Sequence, residues 1–488
     1  MTRLRALPLA LAALLAGRLL SLGAYPLMDS TEARYAEIAR KMLELGDWVT
    51  PWFDYGVPFW GKPPLSFWIT AAGFKLFGVN EFGARILHLA SALAIAGLLW
   101  QWIARRSRRQ ALYAVALLGG SALFLTAAGA VVTDTGLALG STLAMRGFWL
   151  GLHGAEEERR RERRLLFAGL ALGLLAKGPV ALVLSGLPIA LWAAWERKLP
   201  AAWKALPWLR GGLAAMALAA PWYLLAEWRT PGFLEYFLAG EHWQRFVVPG
   251  WKGDLYGSAH DFARGTIWLF AAQALLPWSV LLPLAALRWK SGPSAGPQER
   301  SWRRYCLLWG LAPCLFFTAA GNILWTYVLP GLPGLALAAA AWLDRDEIRA
   351  GAEKLLATGL AASLAVLAAA AIGYELSGKA GLRSAKALVA VYEARRTGSE
   401  PLIFLRRRPF SGAFYSGGKA EIATDERQLA LRLENAPAFV AIPREALPGL
   451  PAELARKLVP VIDKGAFRLF AAPSGREAIG AAEEMRQR

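Results

Sequence analysis

The sequence predicts a polytopic α-helical membrane protein of about eleven spans, followed by a small α/β domain at its C-terminal end. Three observations predict it. Apolar runs recur that are long enough to cross a hydrocarbon core, which takes about 20 helical residues. The Lys and Arg residues gather in the short segments joining these runs. After about residue 375 the pattern changes to short strand-like and helix-like segments. Composition agrees: 56% hydrophobic, 19% charged and 22 Trp in 488 residues is too apolar for a soluble chain of this size. The net charge of +19 could serve nucleic acid or an anionic membrane surface. Because the cations sit between apolar runs, membrane lipids are the expected partner and nucleic acid is not. Cys306 and Cys314 lie within one apolar run and suggest neither a disulfide framework nor a zinc motif.

The first run lies in "MTRLRALPLALAALLAGRLLSLGAYPL". It has the basic start of a signal peptide but lacks a small-x-small cleavage site before Tyr25, so it reads as an uncleaved first span with a cytoplasmic N-terminus. The spans are predicted near residues 6–24, 82–104, 110–128, 133–152, 164–177, 179–196, 206–228, 265–288, 302–320, 324–343 and 355–374. The even-numbered spans then deliver the chain to linkers that are all rich in Lys or Arg: "RRSRR", "EEERRRERR", "ERKLPAAWK", "RWKSGPSAGPQERSWRR" and "DRDEIRAGAEK". That matches the positive-inside rule. Residues 1–375 form the transmembrane domain, with two long outward loops at 25–81 and 229–264, and residues 376–488 form an outward α/β domain. In the tail, "PLIFL", "AEIAT", "AFVAIP" and "FRLFAA" read as strands, and "DERQLALRLEN" and "PAELARKL" as helices. There is no internal repeat; a Gly/Pro/Ser linker occupies 291–297.

The outward loops carry the chemistry. "STEARYAEIARKMLELGDW" predicts an amphipathic interfacial helix, capped by Ser30 or Thr31 and stopped by Gly46. "PPLSFWITAAGFKLFG" predicts a second interfacial helix. Asp29 and Glu32 share a face if the first helix begins early, and either could simply complement its macrodipole. Their company favours more: Lys62 is held in "FWGKPPL" by two prolines, among Trp48, Trp52, Phe53, Tyr55, Phe59 and Trp60. Carboxylates, a fixed cation and aromatic planes at a lipid–water boundary suit a sugar carried on a phospholipid. Asp134 stands at the outer mouth of the fourth span, as a functional acid or a helix cap. Lys177, in "LAKGPV", is a phosphate-binding candidate or a snorkelling lysine. "FLAGEHWQRF" brings Glu241, His242, Gln244 and Arg245 within two turns, as an anion clamp, a metal ligand set or a wet helix face. Asn322 and Tyr327 mark the outer end of the tenth span. His88, His153 and His260 are read as packing, interface or loop residues.

"EARYAEIARKMLELGDWVTP…GVPFWGKPPLSFW", "TDTGLAL", "LAKGPVALVL", "EHWQRF" and "WTYVLPGLPGLAL" resemble, in that order, the motifs of bacterial aminoarabinose transferases. These are phospholipid-carrier-dependent, C-type glycosyltransferases related to the protein O-mannosyltransferases. The resemblance covers about residues 25–345. It implies a C-type glycosyltransferase-like fold and a bacterial inner-membrane enzyme with its active site and C-terminal domain in the periplasm. The activity implied is transfer of a sugar, 4-amino-4-deoxy-L-arabinose, from a polyprenyl-phosphate donor to lipid A or another envelope acceptor. In the mannosyl branch the acceptor is a protein hydroxyl. Arg34 and Tyr35 enter as site candidates with the first motif, Arg34 on the donor phosphate.

Two departures from the family pattern matter. Thr31-Glu32 stands where the family has Asp-Glu, with Asp29 as the candidate replacement, and Gly61 stands where the family has Glu before Lys62. The lost Glu removes a possible ligand for a divalent ion, the one cofactor the resemblance leaves open, and no metal site is predicted. In the implied inverting displacement, Lys62, then Arg245 and Lys177, stabilise the leaving phosphate. Asp29 or Glu32 acts as base if the acceptor is a hydroxyl, a contribution of about 10²–10⁴-fold. Tyr327 and Asp134 orient sugar or phosphate. A secondary transporter would show repeat symmetry and broken helices near the midplane, whereas the sequence has neither repeats nor a mid-span acid pair and its polar groups cluster in the outward loops. Eleven spans and a polar first loop are more than a simple anchor for the tail needs.

Overall fold

The computed structural model describes residues 6–257, 260–289, 296–376 and 380–473; most of the predicted 291–297 linker lies outside them. The chain divides into two compact units. One comprises residues 1–22 and 45–367, the other residues 23–44 and 368–488. The opening part of the first loop thus folds with the tail.

The first unit is helical, and a helix stands at each predicted span. The first is Ala6–Ser21, the fourth and fifth are Thr133–His153 and Glu156–Lys177, and the ninth is Pro297–Phe317. By length and apolarity alone, four described helices suffice to cross a membrane: Glu81–Ile103, Trp208–Arg229, Trp325–Leu343 and Asp346–Tyr374. A fifth arises if Ile267–Ala274 and Trp278–Arg288, bent by 81°, count as one span. Several predicted spans fall short for identifiable reasons. Helix Arg108–Gly120 breaks at Ser121 before Ala122–Ala127, and Glu156–Lys177 carries nine acids and bases in its first turns.

The basic linkers meet on one face of this unit. Arg105 pairs with Glu158 at 3.1 Å, Arg106 with Glu299 at 2.5 Å, Arg109 with Asp346 at 2.7 Å and Arg304 with Glu196 at 2.9 Å. These contacts join all five linkers, the arrangement that alternating spans require. A helix of 22 residues is about 33 Å long. The Lys177 end of Glu156–Lys177 is therefore far from its linker end.

In the second unit a five-stranded sheet runs in the order Glu421–Ala423, Leu402–Leu405, Ala438–Pro443, Phe467–Ala472, Val459–Lys464. The first three strands are parallel and the last two antiparallel. Alternation along Leu402–Leu405 sends Leu402 and Phe404 to one core with Leu388, Val389 and Tyr392. Ile403 and Leu405 go to the other, with Leu429 and Leu454. Both faces are covered, so this strand is an unbroken apolar run. The predicted tail elements stand where expected. Strand Val459–Lys464 and helices Lys386–Arg395 and Phe410–Tyr415 are additional.

Candidate active site

Helices Thr133–His153 and Glu156–Lys177 form a tight antiparallel pair because glycines let their backbones touch. A Cβ on Gly140 would lie 2.7 Å from the Gly169 carbonyl, and one on Gly147 2.4 Å from the Leu166 amide nitrogen. The pairing sets the first turn of one helix against the last turn of the other. Lys177 Nζ thereby meets Asp134 Oδ1 at 2.5 Å, with side chains only 11% and 8% exposed. Lys177 also lies 4.1 Å from the Tyr327 ring centroid, a cation–π contact. It does not snorkel, and the Asp134 carboxylate is committed to this pair.

The loop that carries Lys62 is held in place by its aromatics. A hairpin of Trp52–Asp54 and Val57–Pro58 sets Phe53 and Phe59 against Tyr256, at 5.0 and 4.6 Å between centroids. Tyr256 Oη donates to the Pro58 carbonyl at 2.8 Å and accepts from the Trp60 amide at 3.0 Å. This ties the first loop to the second. Gly61 lies against Phe59: a Cβ there would come within 2.8 Å of the ring. The glycine that departs from the family pattern is thus the residue this packing accepts.

Lys62 Nζ reaches Glu241 Oε2 at 2.8 Å, across 179 residues of sequence. Glu241 sits in a π-helical segment, Glu235–Gln244; such widened turns recur at functional sites. Its other oxygen accepts from Arg245 at 2.9 Å, and Arg245 also reaches Asp254 Oδ2 at 3.1 Å. Burial opposes the charge on Glu241, but Lys62 and Arg245 outweigh it and hold the carboxyl at about 2. Burial likewise opposes the charge on Arg245, yet Glu241 and Asp254 push its pKa upward. His242 packs between two carbonyls, with Nδ1 2.8 Å from Phe237 O and Nε2 3.1 Å from Lys177 O. Burial lowers its pKa despite those acceptors. This close approach explains Gly178 (φ +79°): a Cβ there would lie 2.7 Å from Phe237 and 3.1 Å from His242 Nε2. Asn322 donates to the carbonyls of Arg245 and Val248, pinning the end of the segment. Its Oδ1, like Arg245 Nε, is buried without a hydrogen-bond partner among the described residues.

These side chains line one cavity of about 280 Å³. Lys62, Lys177, Glu241, Arg245, Asn322 and Tyr327 form its polar part, while Val180, Val183, Leu238, Phe246, Phe316 and Phe317 form its apolar walls. The sequence reading missed Asp254, Tyr236 and Tyr256, which hold the charged groups in place, and the Phe316-Phe317 wall. The signal available was "DLY" within the second loop and an aromatic pair at the outer end of the ninth span.

Asp29, Glu32, Arg34 and Tyr35 fold with the second unit. Helix Thr31–Leu45 begins after Asp29, so Asp29 and Glu32 do not share a helix face as expected of an early start. Asp29 instead accepts from the backbone and the hydroxyl of Ser411, the backbone bond at 3.0 Å. It serves the start of helix Phe410–Tyr415 as a capping carboxylate. Burial raises its pKa, partly offset by those bonds. Glu32 is half-buried in the first helical turn, Tyr35 is buried, and the Arg34 guanidinium lies 5.7 Å from the Phe410 ring centroid.

The fold matches, with a TM-score of 0.78 over 96% of this chain and 98% of the other, that of ArnT from Cupriavidus metallidurans bound to undecaprenyl phosphate; the two are 20% identical. This chain has the ArnT fold. Residues 8–237 match the family of dolichyl-phosphate-mannose-protein mannosyltransferases. The undecaprenyl phosphate-alpha-4-amino-4-deoxy-L-arabinose arabinosyl transferase of Edwardsiella ictaluri is 33% identical over 65% of this chain. Its counterpart in Erwinia tasmaniensis is also 33% identical, over 70%. The family resemblance of the motifs is borne out by these relatives. The matches span 56% and 61% of the relatives' own lengths.

Proposed function

We propose that the chain is a membrane glycosyltransferase that moves 4-amino-4-deoxy-L-arabinose from a polyprenyl-phosphate donor to lipid A or a related envelope acceptor. The reaction takes place on the periplasmic face of the bacterial inner membrane. The observation that carries this reading is the cavity, whose cations Lys62, Arg245 and Lys177 meet apolar walls of valine, leucine and phenylalanine. A phosphate esterified to a long isoprenoid has the same two-part character. The names of the curated relatives support the sugar and the carrier.

In this reading the bond between sugar C1 and the phosphate oxygen breaks, and an acceptor oxygen bonds to C1 from the opposite side. The phosphate leaves with the bonding electrons, and fixed cations stabilise the charge that develops on it. A lipid A phosphate is already a nucleophile and needs positioning more than deprotonation. A hydroxyl acceptor would need a base, for which Asp29 and Glu32 are the candidates.

Mass spectrometry of lipid A and envelope glycans from a deletion strain tests the proposal. An aminopentose increment on lipid A that wild type restores supports it. A missing hexose on protein keeps the enzyme class and moves the acceptor to the mannosyl branch. Unchanged glycoconjugates refute it.

A further inference from the structure

Each cation of the cavity already has a carboxylate. Lys62 has Glu241, Arg245 has Glu241 and Asp254, and Lys177 has Asp134. Among these acids only Glu241 lines the cavity, and its side chain is 5% exposed. Its two oxygens bridge Lys62 and Arg245, which is the place a lipid phosphate must take to reach both cations. Resting on the donor reading above, we propose that Glu241 is a resident counter-anion. The incoming lipid phosphate displaces it from Lys62 and Arg245, and its return expels the polyprenyl-phosphate product.

The chemistry of the turnover explains the need. The donor is a phosphodiester with one negative charge. Transfer breaks its C1–O bond and leaves a phosphate monoester carrying about −1.5 to −2 near pH 7. A pocket of uncompensated cations would hold that product more tightly than the donor and stall. A tethered carboxylate competes with donor and product alike, and so shortens the stay of the product. Tyr236, whose hydroxyl stands 3.4 Å from Glu241 Oε1, steadies it in the bridging position.

Binding of undecaprenyl phosphate to the full chain in nanodiscs, read by native mass spectrometry, tests this alongside product inhibition of turnover. Glu241→Gln removes the competing charge with little change of shape. It should bind the lipid at least about tenfold more tightly than wild type, since a unit charge a few ångströms away is worth more than one factor of ten even when partly screened. Turnover of this variant should be inhibited by correspondingly less product. If Glu241→Gln does not yield folded protein, Glu241→Asp withdraws the carboxylate by one methylene, and a smaller tightening is expected. Unchanged or weaker lipid binding by the folded variant overturns the inference alone. Absence of binding to wild type and variant overturns the donor reading and the inference with it.

Discussion

Replacing Lys177 by Met removes one cation from a pair buried between two helices and the Tyr327 ring. The pair is 2.5 Å apart with both side chains about nine-tenths buried. Breaking such a pair from one side costs about 3–5 kcal/mol, because the remaining charge stays buried without its partner. The lost cation–π contact adds about 0.5–2 kcal/mol. Asp134→Asn should cost a similar amount by stranding Lys177. The double variant buries neither charge, so its destabilisation should fall below the sum of the singles by about 2–3 kcal/mol. Equilibrium unfolding of the purified chain in dodecylmaltoside–SDS mixed micelles measures all four corners of this cycle. Activity should follow a different course: the double variant regains stability but not turnover, because the cation we propose for the leaving phosphate is still missing. Additive stabilities would refute the buried pair. Restored turnover in the double variant would refute a direct role for Lys177.

Other outcomes follow from the same geometry. Glu241 is held at about 2 against an ordinary 4.5. Its contribution to stability is therefore fully present above about pH 4.5 and lost as pH falls through about 2. Its size is on the order of 3 kcal/mol for a shift of this extent. An unfolding titration should show this contribution intact at pH 5, and its loss already at pH 5 would contradict the assignment. Gly61→Ala forces a methyl towards the Phe59 ring and should cost about 1–3 kcal/mol. It should also raise the KM for donor by shifting Lys62, and Phe59→Leu should relieve both effects. Ser411→Ala removes a hydroxyl donor to Asp29 and should destabilise the second unit by about 1–2 kcal/mol, read by protease susceptibility of the tail. In folded protein, Asp29→Asn should retain most turnover, because Ser411 holds both carboxylate oxygens, and Glu32→Gln should impair transfer to a hydroxyl acceptor but not to a lipid A phosphate. Loss with Asp29→Asn would restore Asp29 as the replacement for the family aspartate.

The membrane unit was legible because apolar length and basic linkers are strong, redundant signals. Each predicted span has a helix, and the linkers meet through ion pairs such as Arg106–Glu299. Lys62, Lys177, Glu241 and Arg245 were legible as individual charges in apolar surroundings. Their pairing was not, because Lys62 and Glu241 are 179 residues apart and only the stitching of two loops by Tyr256 sets them face to face. The surroundings of Asp29 were hidden for a related reason. Three residues from Glu32, it looked like a partner on one helix, whereas a serine 382 positions away claims both its oxygens. Strand Val459–Lys464, with a proline, an acid and a lysine in six residues, lacks a clear alternation and is held by its neighbour.

Reconstituted transfer measures the central claim most directly. Purified wild type and Lys62→Met would be given a synthetic undecaprenyl-phosphate aminoarabinose and lipid A in proteoliposomes, with released undecaprenyl phosphate and modified lipid A counted together. The expected result is stoichiometric appearance of both with wild type and a loss of at least about a hundredfold with Lys62→Met, the scale of removing one fixed charge-stabilising group. Consumption of no donor by wild type, or equal turnover by the two proteins, would contradict it.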